Sequence, residues 1–347
     1  MTTPVVSRRP PQGWGFSELA EGMFKVVGFE PTGEEQARIL RSTARFKVVS
    51  GGGRAGKSVG ASKEFLQRWP DDQIQWPHDM LRYWLVGADY GKTAAEFGYI
   101  RDDLIRTGFR VDATKRIDPG SIEVRLKGAK DPFLLLETKS AKAPRTLAMF
   151  APHGIIGCEA SQVDLETYWR CSERLGEKRG WLYMSGTYER ASRWYPGLVK
   201  AWAHGDAEKA SFSLPSPTNF HLWPGGVNDP EILRMNGESS DEFFLERIMG
   251  IASPPKGLVF GEFRPDIHIR EVEYKKGESV YLWEDPGYGS TSAHAVLAAH
   301  IRDGHVEVFD EIYERGIITE GIIQIAQGRE WFKDVHYLVS DPHYKDA

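Results

Sequence analysis

The stretch KVVSGGGRAGKSVGAS, Lys47 to Ser62, decides how the rest of the chain is read. An apolar pair leads into three glycines, then Gly-Lys-Ser, then small residues that can open a helix. Gly51, Gly56, Lys57 and Ser58 fall at the spacing G-x-x-x-x-G-K-[ST]. In such a loop, here Gly51, Gly53, Arg54, Ala55 and Gly56, successive backbone N–H groups converge on phosphate oxygens. Lys57 reaches the β- and γ-phosphates, the Ser58 hydroxyl can ligate Mg²⁺, and the following helix presents its positive end. The loop is read as a nucleotide site with ATP and Mg²⁺ as its occupants.

The totals set the frame. A chain of 347 residues, 41% apolar and 27% charged, suits a globular protein of two domains. No run approaches the ~18 apolar residues that a membrane span needs, and the N-terminus lacks a signal-peptide core, so neither membrane nor secretion is expected. Cys158 and Cys171, the two cysteines, fit a reducing compartment better than a disulfide scaffold. A net charge of −5 does not advertise nucleic acid across the whole surface, although a local basic face remains possible.

Strand-like runs at Phe46–Ser50, Arg82–Val86, Ser121–Lys127, Pro132–Thr138, Gly154–Gly157 and Gly180–Ser185 alternate with helical patterning after Lys57 and near Lys92–Thr107. That alternation predicts an α/β domain with a mainly parallel sheet. Composition turns to Pro, Gly and Asn over Pro215–Asn228, a helical segment follows at Asp241–Met249, and SPPKG, Ser253–Gly257, reads as a linker. A second α/β unit then begins with strands at Val280–Trp283, Ala295–His300 and Val306–Glu311, a helix near Thr319–Arg329 and a strand at Tyr337–Ser340.

Hydrolysis of a nucleotide needs a carboxylate to orient water and a cation to offset developing charge. HGIIGCEASQVD, His153 to Asp164, is an apolar strand ending in Cys158-Glu159. Glu159 suits the water-orienting role. Cys158 stands where such ATPases usually carry an Asp, and a neutral thiol is a poor partner for Mg²⁺. Metal binding then leans on Ser58, or on a carboxylate from elsewhere. WLYMSGTYER places Ser185-Gly186-Thr187 at a strand end, where small hydroxyls can sense a γ-phosphate. Gln36, about twenty residues before the loop, carries an amide able to read an adenine edge. In the second unit, VYLWEDPGYG puts Asp285 at a strand end and HYLVSDPHYKDA puts Asp341 at another; two such acids can clamp paired Mg²⁺ or Mn²⁺. Glu311 is a third carboxylate on an adjacent strand.

In this order and spacing, Gln36, the loop, Glu159, Ser185-Gly186-Thr187 and the later Asp-Pro-Gly resemble the large terminase subunit of tailed bacteriophages, over about Pro31 to Ala347. The resemblance implies an N-terminal arm over 1–30 and an ASCE-type P-loop ATPase over 31–252, with a linker subdomain from about 212. An RNase H-like nuclease domain over 253–347 follows. It implies Glu159 as the water-orienting residue, Ser185 to Thr187 as the coupling motif, Tyr90 near the base, and Arg145 or Arg54 as the charge-neutralising arginine. It also implies double-stranded viral DNA, a small terminase subunit and a capsid portal as partners. Assembly into a homo-oligomeric ring, in the host cytoplasm at the procapsid portal, goes with them. Family members continue past the Asp341 motif to a further acidic ligand, whereas this sequence ends six residues after it. The nuclease half is therefore expected to be incomplete and inactive. A P-loop helicase or remodeller accounts for the loop and coupling motif but not for Asp285 and Asp341. A nucleotide-binding switch with a degenerate site accounts for Cys158.

Overall fold

The run Phe46–Gly51 is buried along its whole length, as expected of a strand covered on both faces rather than one. In the computed structural model, which describes residues 13–114, 119–148, 150–188, 194–253, 265–287 and 292–340, this strand lies inside an eight-stranded sheet. The elements in chain order are helices α1 (Glu18–Val27) and α2 (Glu34–Arg41), strand β1 (Phe46–Gly51), α3 (Lys57–Gln75), β2 (Leu81–Gly87), α4 (Ala94–Arg106), β3 (Arg110–Ala113), β4 (Ser121–Arg125), β5 (Leu134–Ser140), β6 (Gly154–Gly157), α5 (Leu165–Arg174), β7 (Trp181–Gly186), α6 (Trp194–Ala201) and β8 (Lys209–Leu214). The spatial order is β3-β4-β5-β2-β6-β7-β1-β8. From β5 to β8 all neighbours are parallel, while β3 and β4 form an antiparallel margin.

Alternate residues of each central strand feed two cores. Val49, Tyr83, Leu85 and Ile156 point to one, with Phe65 of α3 and Phe97, Ile100 and Leu104 of α4. Val48, Trp84, Val86 and Ile155 point to the other, with Cys171 of α5 and Tyr195 of α6. The result is a three-layer α/β sandwich. Strand β7 separates β1 from β6, so the loop after β1 and the acid after β6 open at the same sheet end with one strand between them. That end is where open parallel sheets place their ligands.

Residues expected as an arm include a packed helix. Ser17 caps α1 at its start, and Gly28, in the left-handed conformation, ends it. Ala20, Phe24 and Val27 then bury against Leu40 and Leu66. The spacing of those three residues, one turn apart, explains why the segment docks.

After β8 the chain makes short turns at Ser216–Thr218 and Gly226–Asn228, a helix Pro230–Glu238, a short helical turn Asp241–Phe244 and a single π-helical turn, Leu245–Met249. The chain divides into two compact units, Met1–Leu258 and Val259–Ala347. In the second, strands β9 (Val280–Asp285), β10 (Ala293–Arg302), β11 (His305–Arg315) and β12 (Val335–Ser340) pack in the order β11-β10-β9-β12. β10 pairs antiparallel with both β9 and β11, and β12 runs parallel to β9. A helix, Thr319–Gln327, covers one face through Ile322 and Ala326, which meet Val280, Leu282 and Val296. Among the described residues no helix is long and apolar enough to cross a membrane.

Candidate active site

The loop after β1 is shaped by close approaches on its outer side. A Cβ on Gly51 would lie 2.5 Å from the Leu214 carbonyl oxygen, and one on Gly52 would lie 2.1 Å from that of Ile248. Gly56 has φ 96°, which favours glycine, and Arg54 also takes a positive φ of 61°. Neighbouring segments then hold the loop by its own backbone. The Gly53 N–H donates to the Arg247 carbonyl at 2.7 Å. The Ser216 hydroxyl donates to the Gly53 carbonyl at 2.5 Å, and the Asn219 amide to that of Arg54 at 2.7 Å. Gln36 donates to the Gly56 carbonyl at 3.1 Å and accepts from the Thr32 N–H at 2.9 Å. Its buried amide thus serves here as a brace beneath the loop.

Lys57 opens α3 and is buried. Its ammonium donates to the carbonyls of Gly51 and Gly52 at 3.2 and 2.7 Å and to the Thr187 hydroxyl at 2.9 Å. Burial lowers its pKa, opposed by the charge of Glu159 and reinforced by Arg247. The parallel pairing of β1 with β7 sets this contact. Val49 lies beside Ser185 and Ser50 beside Gly186, so Thr187 emerges next to the loop. Ser185 and Thr187 are both buried, and a Cβ on Gly186 would press 2.9 Å from the Ser161 backbone nitrogen. The expected coupling triplet therefore joins the β1 loop to the turn after β6.

At the end of β6, Glu159 takes a left-handed backbone, φ 47°. That conformation is costly for a residue with a side chain and clusters at functional positions. Its side chain lines a cleft of about 680 Å³ together with Arg54, Lys57, Ser58, Thr187 and Arg247. Cys158 beside it is fully buried, and burial pushes its thiol pKa well up. Glu96, in the first turn of α4, is buried, and burial raises its carboxyl pKa, opposed by the neighbouring Ser58 hydroxyl. Ser58, Glu159 and Thr187 offer oxygens to the cleft, the donor type that Mg²⁺ prefers.

The remaining expected residues are placed as follows. Arg54 lines the cleft, whereas Arg145, exposed on the turn Pro144–Ala148, does not; nor does Tyr90, although its neighbours Gly91 and Lys92 do. In the second unit Asp285 ends β9 and is exposed. Glu311 pairs with Leu297, so the whole of β10 lies between it and β9. Asp341 lies outside the described residues, and among those described no group of three His, Cys, Asp or Glu side chains is arranged to hold a metal. Glu284 instead meets the buried His294 at 2.8 Å. Sequence reasoning missed Glu96, Arg247, Ser216 and Asn219. None sits at a fixed spacing from the loop, and only the fold brings them to it.

No family model matches the sequence, and no curated protein matches it. Solved structures do. The large terminase ATPase domain of Thermus phage P74-26 superposes with a TM-score of 0.52 at 19% identity, covering 66% of this chain and 97% of that one. The large terminase of a thermophilic bacteriophage in complex with ATP-gamma-S gives 0.51 at 13% identity, covering 90% and 77%. That of bacteriophage HK97 gives 0.50 at 11%, covering 90% and 70%. The chain shares the fold of bacteriophage large terminase ATPase domains.

Proposed function

We propose that this chain is the ATP-hydrolysing motor subunit that packages double-stranded viral DNA, a large terminase, with a nuclease unit attached. The observation that carries the reading is the hydrogen bond from Lys57 to Thr187, which ties the phosphate loop to the end of the neighbouring strand. A group that touches the phosphate-binding lysine in this way is placed to pass on whether a γ-phosphate is present. The strand order, the acid at the end of β6 and the shared fold support the same reading.

In this mechanism the backbone N–H groups at Gly56 and Lys57, where the loop enters α3, and the Lys57 ammonium hold the β- and γ-phosphates. Ser58 would hold Mg²⁺, which supplies charge neutralisation at the phosphate oxygens. Glu159, aimed into the cleft by its left-handed backbone, orients the attacking water. Arg54 serves as the charge-neutralising cation within the subunit, while exposed Arg145 suits action on the nucleotide of a neighbour in a homo-oligomeric ring. The clamp of Ser216, Asn219 and Arg247 on the loop carries loop movement into the 212–252 segment, and Ser185 to Thr187 carry it into the sheet. Lysines and arginines repeated around the ring grip DNA through its phosphates, without reading sequence. Choice of viral DNA then falls to a small terminase subunit and anchoring to the capsid portal, in the host cytoplasm.

The second unit is proposed to be RNase H-like, from its three antiparallel strands followed by a helix and a parallel fourth strand. Asp285 and Asp341 would be the Mg²⁺ or Mn²⁺ ligands and Glu311 an accessory carboxylate. The test of the motor assignment is ATP turnover against added nucleic acid. Stimulation by double-stranded DNA that weakens steeply with salt is expected. Stimulation confined to single strands would favour a helicase and contradict the proposal.

A further inference from the structure

We propose that Asn219 reads the base of the nucleotide, accepting a hydrogen bond from the 6-amino group of adenine while Leu222 covers the ring. The inference rests on the reading of this cleft as an ATP site and concerns its nucleoside end. Sheet order points to where that end lies. Strand β1 runs between β7 and β8. Thr187, just past the end of β7, and Glu159, past the end of the next strand along, attend the terminal phosphate. A nucleotide held across the loop with its γ-phosphate on that side carries its nucleoside toward the other, where β8 and the turn after it stand. Asn219 and Leu222 belong to that turn, and both line the cleft.

Asn219 is 5% exposed. Its amide nitrogen donates to the Arg54 carbonyl at 2.7 Å, which settles which end of the amide is oxygen. That oxygen is buried and accepts no hydrogen bond among the described residues. A buried acceptor on such terms is costly unless a donor from a ligand joins it. The turn that carries it is fixed by its own backbone. The Asn219 N–H donates to the Ser216 carbonyl at 3.0 Å, the Trp223 N–H to the Asn219 carbonyl at 2.9 Å, and the Phe220 N–H to the Thr32 carbonyl at 3.2 Å. Leu222 is 52% exposed and gives the apolar surface on which a purine ring can lie. Gln36, the other amide near the loop, already engages Thr32 and Gly56 through its oxygen and nitrogen. An acceptor at Asn219 suits the 6-amine of adenine and opposes the 6-carbonyl of guanine or hypoxanthine.

Calorimetric binding tests the assignment. The probes are non-hydrolysable triphosphate analogues of adenosine, 2′-deoxyadenosine and inosine, with inorganic tripolyphosphate as the ligand that lacks a nucleoside, all with Mg²⁺. Wild type should prefer adenosine to inosine by ~10–100-fold and bind 2′-deoxyadenosine nearly as well as adenosine. Asn219→Ala loses the bond to Arg54 and should weaken every probe, but its preference for adenosine over inosine should also fall to about one. Leu222→Ala should weaken adenosine and inosine together, leaving their ratio and the tripolyphosphate affinity unchanged. An Asn219→Ala variant that keeps the wild-type ratio would overturn the proposal, since Asn219 would then only be bracing the loop. So would a wild type indifferent to inosine, whether or not Asn219→Ala folds. A loss confined to 2′-deoxyadenosine would likewise overturn it, by placing the Asn219 oxygen on the ribose. Leu222→Ala with unchanged adenosine affinity would remove the covering role. If wild type bound no probe at all, tripolyphosphate included, the nucleotide-site reading itself would fail, a separate outcome.

Discussion

Lys57 and Thr187, 130 positions apart in the chain, are joined by a 2.9 Å hydrogen bond that exists because β1 and β7 are parallel neighbours. The ammonium is buried and its other acceptors are two carbonyls of its own loop. A phosphate entering the loop competes for the same three N–H donors.

Thr187→Val removes that acceptor without changing side-chain shape. The loss should cost about 1–3 kcal/mol, the range for a hydrogen bond to a buried charge. Without nucleotide the variant should melt several degrees lower than wild type. With a saturating ATP analogue the gap should narrow, because phosphate replaces the hydroxyl as the lysine's partner. A gap indifferent to nucleotide would show that Thr187 does not interact with the phosphate-binding lysine in any functional sense.

Gly52→Ala probes the clamp on the loop. The new methyl would meet the backbone carbonyl of Ile248, which cannot rotate away. We expect a destabilisation of about 1–3 kcal/mol and weakened nucleotide binding. Gly22→Ala is the control. Nothing lies within 4 Å of that Cβ in the interior of α1, so the change should stabilise by roughly 0.5–1 kcal/mol. Denaturant midpoints distinguish the two directions.

Asp72 gives a pH dependence. Burial raises its pKa from 3.8 to about 6, against the opposing hydrogen bonds donated by Tyr83 and Trp181. A folded-state value above the unfolded one means that its stabilising contribution is full below pH 3.8 and disappears as pH rises through 6. Asp72→Asn should therefore gain on wild type by on the order of 2–3 kcal/mol between acid and pH 8. Denaturation at the two pH values checks the sign. A constant difference would contradict it.

Beneath the sheet, Lys47 and Glu64 form a salt bridge of 2.8 Å with both side chains 1% exposed, and Arg68 joins the same carboxylate. Glu64→Gln leaves the buried ammonium without its counter-charge and should cost about 3–5 kcal/mol. Replacing both partners, Lys47→Met with Glu64→Leu, should recover most of it. Melting of the single and double variants measures the difference.

The legible part of the site was the part written in consecutive residues. The phosphate loop needs its glycines, lysine and serine at fixed spacing, so KVVSGGGRAGKSVGAS announced both the site and the β1-to-α3 turn. Glu159 and Ser185-Gly186-Thr187 were legible because each ends an apolar strand, and parallel sheets gather such ends together. Glu96 was not, since a Glu in a helix's first turn is ordinary until the fold buries it beside Ser58. Arg247, Ser216 and Asn219 were hidden for the same reason. Strand β8 and helix α5 escaped notice because KASFSL and LETYWRCSER are too polar to declare themselves, and packing decides their form. Gln36 was legible as an amide upstream of the loop, but its bonds to Gly56 and Thr32 needed the fold to appear.

The central claim is that this is an ATPase whose water-orienting acid is Glu159. The most direct test is steady-state ATP hydrolysis by wild type and Glu159→Gln, over a range of protein concentrations, with and without double-stranded DNA. The account predicts turnover that rises with concentration and with DNA, and that disappears in Glu159→Gln while nucleotide binding persists. Undiminished turnover in Glu159→Gln would contradict it.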